Sequence, residues 1–367
     1  MNGSALTEAN ALLMRGQRRE ALARYESYLA LHPDSAEAWH NRGVTLSQMK
    51  RFEEAVPCFG KAVELRPDSA QSWSHRANAL IELKCHAEAC SDYEKALALD
   101  PDAPYSRGYY VLAKLWCCDW RGLDEQRRRV SEALKAGRPA IQSFGNLLIS
   151  SSAEEQAASA RIWMARQGDP RPPLWRGERY GHKRIRVAYL SGDFREHAVA
   201  MLTAGLLEKH DKARFETFGV SLGADDKSAL RARIANGFEH FIDARAMSDV
   251  EIAARLRAME IDIAVDLMGL TGYSREGILV HRPAPIQVNY LGFPATMAAA
   301  HMDYIVADAT VLPEADKPYY SERAVYLPDT YMPSDSNRPI AVHTPARAEA
   351  GLPQSGFVFA SFNNAYK

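Results

Sequence analysis

Two hydrophobic periods divide this chain. As far as about residue 164, apolar positions recur at three- and four-residue steps, the spacing of one helix face, in blocks closed by prolines. Trp39, Gly43, Leu46, Ala55, Phe59, Ala62 and Pro67 return 34 residues later as Trp73, Ala77, Leu80, Ala89, Tyr93, Ala96 and Pro101. Ala9, Leu12, Ala21, Tyr25 and Pro33 match one period earlier, more loosely. Beyond Lys183, short runs rich in Val, Ile and aromatic residues alternate with helical stretches. They predict strands over 185–190, 215–221, 240–242, 261–267, 287–290 and 304–307, with helices over 199–210, 227–235 and 249–259. Gly168-Asp169-Pro170-Arg171-Pro172-Pro173 cannot continue a helix and marks a boundary between the two regimes.

Seven spaced positions repeating at 34 residues are the tetratricopeptide pattern. Small residues at Gly43/Ala77 and Ala55/Ala89 let two antiparallel helices approach, Phe59/Tyr93 and the tryptophans fill the volume between units, and each unit needs a neighbour to bury its face. The tryptophans read as core. The concave side of such an array holds an extended peptide; with about three units, capping or dimerising the adjoining domain is an equal alternative. Asn41 stands where longer arrays hold peptide backbone, but the next unit has His75 there. The expected organisation is tetratricopeptide repeats over 1–104, degenerate helical repeats over 105–170, an α/β lobe over 171–343 with a doubly wound parallel sheet, and over 344–367 the start of a second lobe, opening on a strand at 356–362. On that reading a second lobe is missing from the chain, which alone would be inactive.

Composition narrows the class without naming the chemistry. Apolar residues make up 47% and charged residues 25% of 367, with a formal net charge of −1, so nothing global points to nucleic acid or an anionic membrane. Five cysteines without C-x-x-C spacing argue against a disulfide framework or zinc site and fit a reducing cytosol. No signal region opens the chain, and no run approaches the roughly twenty apolar residues of a membrane span.

The chemistry concentrates after the first strand of the α/β half. The run from Arg184 to Leu190 leaves the sheet through Ser191-Gly192 and presents Asp193 and His197 four residues apart, just before a helix. Open α/β sheets bind ligands at such carboxyl edges. His197 has the side chain for proton transfer near neutral pH, or is a loop residue satisfied by a carbonyl. Asp193 could orient it, act as the base, or cap the following helix. Dinucleotide and P-loop fingerprints are absent, and the one Asp-x-Asp, Asp100-Pro101-Asp102, closes a repeat. A diphosphate would therefore rest on backbone N–H groups and a Lys or Arg. His182, His281 and His301 lack ligand spacing.

Several separated motifs now resemble one family. Cys118-Asp119-Trp120, Ser191-Gly192-Asp193-Phe194-x-x-His197, Arg282-Pro283-Ala284-Pro285-Ile286-Gln287, Leu291-Gly292-Phe293-Pro294-Ala295-Thr296, Met302-Asp303-Tyr304-Ile305-Val306-Ala307-Asp308 and Phe362-Asn363-Asn364-x-Tyr366-Lys367 are similar to motifs of the O-linked N-acetylglucosamine transferases and the SPINDLY proteins, most of all to bacterial members with few repeats. The resemblance implies a two-lobed GT-B glycosyltransferase that moves N-acetylglucosamine from UDP-N-acetylglucosamine to Ser or Thr hydroxyls of a protein, with inversion, without metal or other cofactor, in the cytoplasm. By the same resemblance His197 and Asp193 serve proton removal, and Lys367 contacts the donor diphosphate. Asn364 stands where animal members have a nucleotide-contacting glutamine, and Thr271, Leu291, Gly292 and Pro294 line the sugar end. This chain departs from animal members at Gln142-Ser143-Phe144-Gly145, where they carry a His-His pair, and at Ala198-Val199. The SPINDLY likeness leaves protein O-fucosyl transfer from GDP-fucose as the alternative; a non-catalytic scaffold is a third reading.

Overall fold

The computed structural model describes residues 2–167, 171–272, 274–338 and 342–360, and divides into two compact units, Met1–Ser150 and Ser151–Phe362. The first is helical: α1 (Asn2–Met14), α2 (Arg18–Leu31), α3 (Ala36–Gln48), α4 (Phe52–Leu65), α5 (Ala70–Glu82), α6 (His86–Leu99), α7 (Ser106–Trp116), α8 (Leu123–Lys135) and the short α9 (Ser143–Leu147). The period is carried by its stop signals. Ser35 and Ser69, one repeat apart, cap α3 and α5 by accepting from the N–H groups of Ala38 and Ser72. The indole N–H of Trp39 donates to the Pro33 carbonyl, and that of Trp73 to Pro67, each at 2.9 Å. This bond ties the first helix of a unit to the proline closing the unit before. It also corrects the reading of the tryptophans as core: both are half-buried, with the Arg42 and Arg76 guanidinium groups over their rings.

The expected close approach is present. Ala55, Ala77 and Ala89 are wholly buried, and a Cβ added at Gly43 would lie 2.8 Å from the Phe59 ring. Asn41 is spent inside the array, its amide donating to Asn10 at 2.9 Å, and Asn10 also accepts from Tyr25.

Two histidines in this unit have a consequence in acid. The rings of His40 and His75 stack 5.0 Å apart; burial, then His75 and Arg66, lower the His40 pKa from 6.5 to about 4, and burial lowers that of His75. A depressed imidazole is neutral in the fold while the unfolded chain takes up a proton. Stability is therefore full above pH 6.5 and falls as pH drops towards 4. For His40 the loss approaches about 3 kcal/mol at about 1.4 kcal/mol per pH unit. Urea unfolding between pH 7 and 4 should show this slope and His40→Gln should flatten it; an equally steep variant would place the acid sensitivity elsewhere.

The second unit opens with α10 (Ala153–Met164) and continues β1 (Ile185–Ser191), α11 (Ala198–Glu208), β2 (Phe215–Ser221), α12 (Ala229–Gly237), β3 (His240–Asp243), α13 (Asp249–Ala258), β4 (Ile263–Asp266), α14 (Gly277–Val280), β5 (Ile286–Asn289), β6 (Tyr304–Ala307) and β7 (Arg323–Tyr326). All seven strands pair in parallel, in the order β3-β2-β1-β4-β5-β6-β7. Val187, Tyr189, Val265 and Val288 from the central strands meet Leu207, Ile234 and Phe238 in one core. Six strands fall where the hydrophobic runs predict them. β7 was not foreseen: it is a four-residue edge strand with alternately exposed positions. The strand expected at 356–362 is not formed over 356–360, where Phe357 and Phe359 stand exposed; its last two residues lie outside the described ones.

Candidate active site

The sheet order fixes where a ligand can sit. From β1 the chain moves outward through β2 and β3, then returns to lay β4 on the other side of β1. The crevice at this reversal opens at the carboxyl ends of β1 and β4, the position open parallel sheets use for binding. Three loops border it, following the adjacent strands β1, β4 and β5. They carry Asp193 and His197, then Thr271, then Leu291, Gly292 and Pro294, so these six candidates share one edge. Asn364 and Lys367 lie outside the described residues.

The β1 loop is built from its own polar groups. Ser191 is fully buried and its Oγ accepts from the Asp193 N–H at 2.9 Å. Asp193 receives Arg195 Nη2 at 3.3 Å on one carboxylate oxygen and faces His197 Nδ1 at 3.5 Å with the other. The helix cap, one of the three roles open to Asp193, is made by His197, whose extended backbone places Nδ1 3.3 Å from the Val199 N–H that it accepts. In this arrangement Nδ1 is unprotonated and the ring proton rests on Nε2. His197 remains 39% exposed, open to a reactant.

The loops lock together through backbone. Gly192 donates its N–H to Met268 Sδ at 2.9 Å. A Cβ at Gly292 would lie 2.0 Å from the Leu267 carbonyl oxygen, and one at Gly269, whose φ is +56°, 2.4 Å from Phe293 Cβ. Leu291 sits at φ +68° with its side chain in the core, so it can face a ligand only with its main chain. Asn289, at the end of β5, donates to the carbonyls of Phe293 and Ala295, each at 3.1 Å.

Three residues that organise this edge were not picked out from the sequence. Asp266 ends β4 buried and accepts from the N–H groups of Met268 and Gly269; burial pushes its pKa up to about 6, against those two bonds. A raised carboxylate pKa means stability present in acid and lost as pH rises through 6, so holding this charge at neutral pH opposes folding. Glu322 accepts from Thr296 Oγ1 at 2.6 Å and the Met297 N–H at 2.7 Å, clamping the end of the β5 loop. Arg231, buried on α12, donates to the Phe194 carbonyl at 2.8 Å and to Ser221 Oγ at 3.0 Å, while Asp225 pairs with its Nε at 2.9 Å. Distant partners distinguish Arg231 and Glu322 from surface charges, and burial at the end of β4 distinguishes Asp266. Among the described residues no group of three His, Cys, Asp or Glu side chains is placed to hold a metal ion.

Comparison with known proteins agrees with this fold. Residues 174–348 match glycosyl transferase family 41, and residues 4–45, 36–69 and 70–103 match tetratricopeptide repeats. The chain is 38% identical over 192 residues to a probable UDP-N-acetylglucosamine–peptide N-acetylglucosaminyltransferase, SEC, of Arabidopsis thaliana, covering 51% of this chain and 20% of that protein. It is 30% identical over 212 residues to SPINDLY of the same plant, described by the same activity, covering 56% and 22%. The Caenorhabditis elegans UDP-N-acetylglucosamine–peptide N-acetylglucosaminyltransferase is 28% identical over 236 residues, covering 59% and 20%. The chain thus spans about a fifth of the length of these relatives. The solved O-GlcNAc transferase of Thermobaculum terrenum shares the fold, with a TM-score of 0.53 and 23% identity over 90% of this chain and 58% of that one. No helix among the described residues is long and apolar enough to cross a membrane.

Proposed function

We propose that this chain, whose residues 174–348 match glycosyl transferase family 41 after a short tetratricopeptide array, transfers N-acetylglucosamine from UDP-N-acetylglucosamine to Ser or Thr hydroxyls of a protein, with inversion and without metal. The observation that carries the reading is the placement of Asp193 and His197 on the loop at the strand reversal, open to a reactant. Attack on the anomeric carbon from the face opposite the nucleotide requires the hydroxyl to shed its proton as the bond to UDP breaks, and a neighbouring imidazole can receive it.

The geometry adds a condition. His197 can accept a proton at Nε2 only if Nδ1 carries one, and a protonated Nδ1 must leave the Val199 N–H and turn to Asp193, now 3.5 Å away. Asp193 is then the group that selects the basic tautomer, as carboxylates orient histidines elsewhere. Asp193→Asn should lower turnover while UDP binding persists; unchanged turnover would remove the aspartate from this role. Lys367 would neutralise the departing diphosphate, so its replacement by Ala should lower UDP affinity and turnover together. Thr271, Gly292 and Pro294, the Leu291 main chain and Asn364 would border the donor.

The acceptor protein would reach the enzyme through the array. A cavity of about 340 Å³ there is lined by Phe52, Phe59, His75, Asn78, Tyr109 and Glu82 among others, an aromatic groove with one carboxylate. Incubation of the two-lobed enzyme with labelled UDP-N-acetylglucosamine or GDP-fucose and an acceptor peptide decides the donor. Label transfer from the uridine sugar, undiminished in excess chelator, is expected. Transfer from GDP-fucose alone would make the enzyme a fucosyltransferase, and inhibition by chelator would contradict metal independence.

A further inference from the structure

The junction between α6 and α7 brings three cysteines to one place. Helices α6 and α7 run antiparallel, and their register is fixed at two points: Tyr110 donates to Glu94 at 2.6 Å, and the Trp116 ring stacks on His86 at 4.9 Å with the two ring planes nearly parallel. On α7, Tyr110, Ala113 and Cys117 follow one another at three- and four-residue steps and so share a face. On α6 the opposing positions are Tyr93, Cys90 and Ala89, and Cys90 packs half-buried against the core that Tyr110 and Ala113 enter. Cys90 lies one helical turn from His86 and Cys117 directly follows Trp116, so the His86–Trp116 stack brings the two cysteines together, and their thiols stand within hydrogen-bonding reach. Cys117 and Cys118 are exposed where α7 ends. Cys58 is committed elsewhere, taking Arg42 and bonding the Glu54 carbonyl, and Cys85 leans on the Leu83 carbonyl.

We propose that Cys90 and Cys117 are a redox modification site, closing a reversible disulfide between α6 and α7 when the protein meets a peroxide. The inference is independent of the glycosyl-transfer reading. Its chemistry balances in two steps. The solvent-facing Cys117 sulfur attacks one oxygen of hydrogen peroxide, is oxidised to a sulfenic acid, and releases one water once the departing hydroxide is protonated. The Cys90 sulfur then displaces the sulfenic oxygen as a second water, its own proton leaving with that oxygen, and the S–S bond forms. Two thiols and one peroxide become one disulfide and two waters; a dithiol reductant reverses the change by exchange. Burial pushes the Cys90 thiol up to about 12, against the nearby Lys114 ammonium, so Cys90 is the resolving partner and the exposed cysteine is the one oxidised first.

Digestion reads the outcome directly, because trypsin releases Cys85 and Cys90 in residues 85–95 and Cys117 and Cys118 in residues 115–121. The whole protein, reduced, then treated with one equivalent of hydrogen peroxide and alkylated, should yield these two peptides joined, and dithiothreitol should part them. Fragmentation of the joined species should place the bond at Cys90 and Cys117; Cys90→Ser should abolish it and Cys85→Ser should leave it. A bond placed at Cys85 or Cys118 would overturn the assignment. So would a closed Cys117–Cys118 loop, or sulfinic and sulfonic acids with no joined peptide.

Discussion

His197→Ala should cost turnover about 10²–10⁴-fold while UDP still binds, because removing a general base withdraws help from the attacking hydroxyl and leaves the nucleotide's contacts in place. The same change removes the cap of α11, at about 0.5–2 kcal/mol, so a poorly folded enzyme could imitate a poorly catalytic one. His197→Asn separates the two. Asparagine keeps a side-chain acceptor for the Val199 N–H and has no basic nitrogen. Its unfolding midpoint should stay near that of the parent while transfer falls as far as in the alanine variant. A thermal melt, calorimetric UDP titration and a peptide-transfer assay on the two-lobed enzyme read folding, binding and turnover separately. Near-normal transfer by His197→Asn would leave Asp193 or a water chain to take the proton.

The contrast between cap and base shows what a sequence can and cannot announce. Asp193 and His197 were legible because strand, turn and helix signals converge on one short stretch, and the strands of the sheet were legible because their buried runs are continuous. Which of the two residues caps the helix depends on the backbone angles of His197, and no spacing encodes them. Arg231, Asp266 and Glu322 were hidden for a different reason. Arg231 reaches back to Phe194, 37 residues away, and Glu322 reaches Thr296 across 26. These two read along the chain as ordinary surface charges until the fold brings their partners to them; Asp266 bonds only to N–H groups two and three residues on, and its burial is what sets it apart. β7 escaped for want of signal, since four half-exposed residues at a sheet edge make no hydrophobic run. In the helical unit the 34-residue period gave the helix pairs, yet the partial exposure of Trp39 follows from a bond to a proline carbonyl that the period only implies.

Gly292→Ala should be a damaging small change at the carboxyl edge. The added methyl would meet the Leu267 carbonyl oxygen at 2.0 Å and its carbon at 2.9 Å, and backbone cannot step aside as a flexible side chain can. The cost expected for forcing an extra carbon into a packed site is about 1–3 kcal/mol. The displacement would also travel. Leu267 leads into Met268, whose sulfur holds the Gly192 N–H, so a shifted β4 loop loosens the turn that carries Asp193 and His197. Turnover should therefore fall further than the lost stability accounts for, when compared per folded molecule at a temperature well below unfolding. Gly272→Ala is the matched control: it lies on a loop of the same edge, and its added methyl would meet nothing within 4 Å. That variant should melt and turn over like the parent. If Gly292→Ala melts early but transfers sugar normally per folded molecule, the interlock serves stability alone. If it melts normally, the β4 and β5 loops are not locked against each other as the Leu267 contact requires.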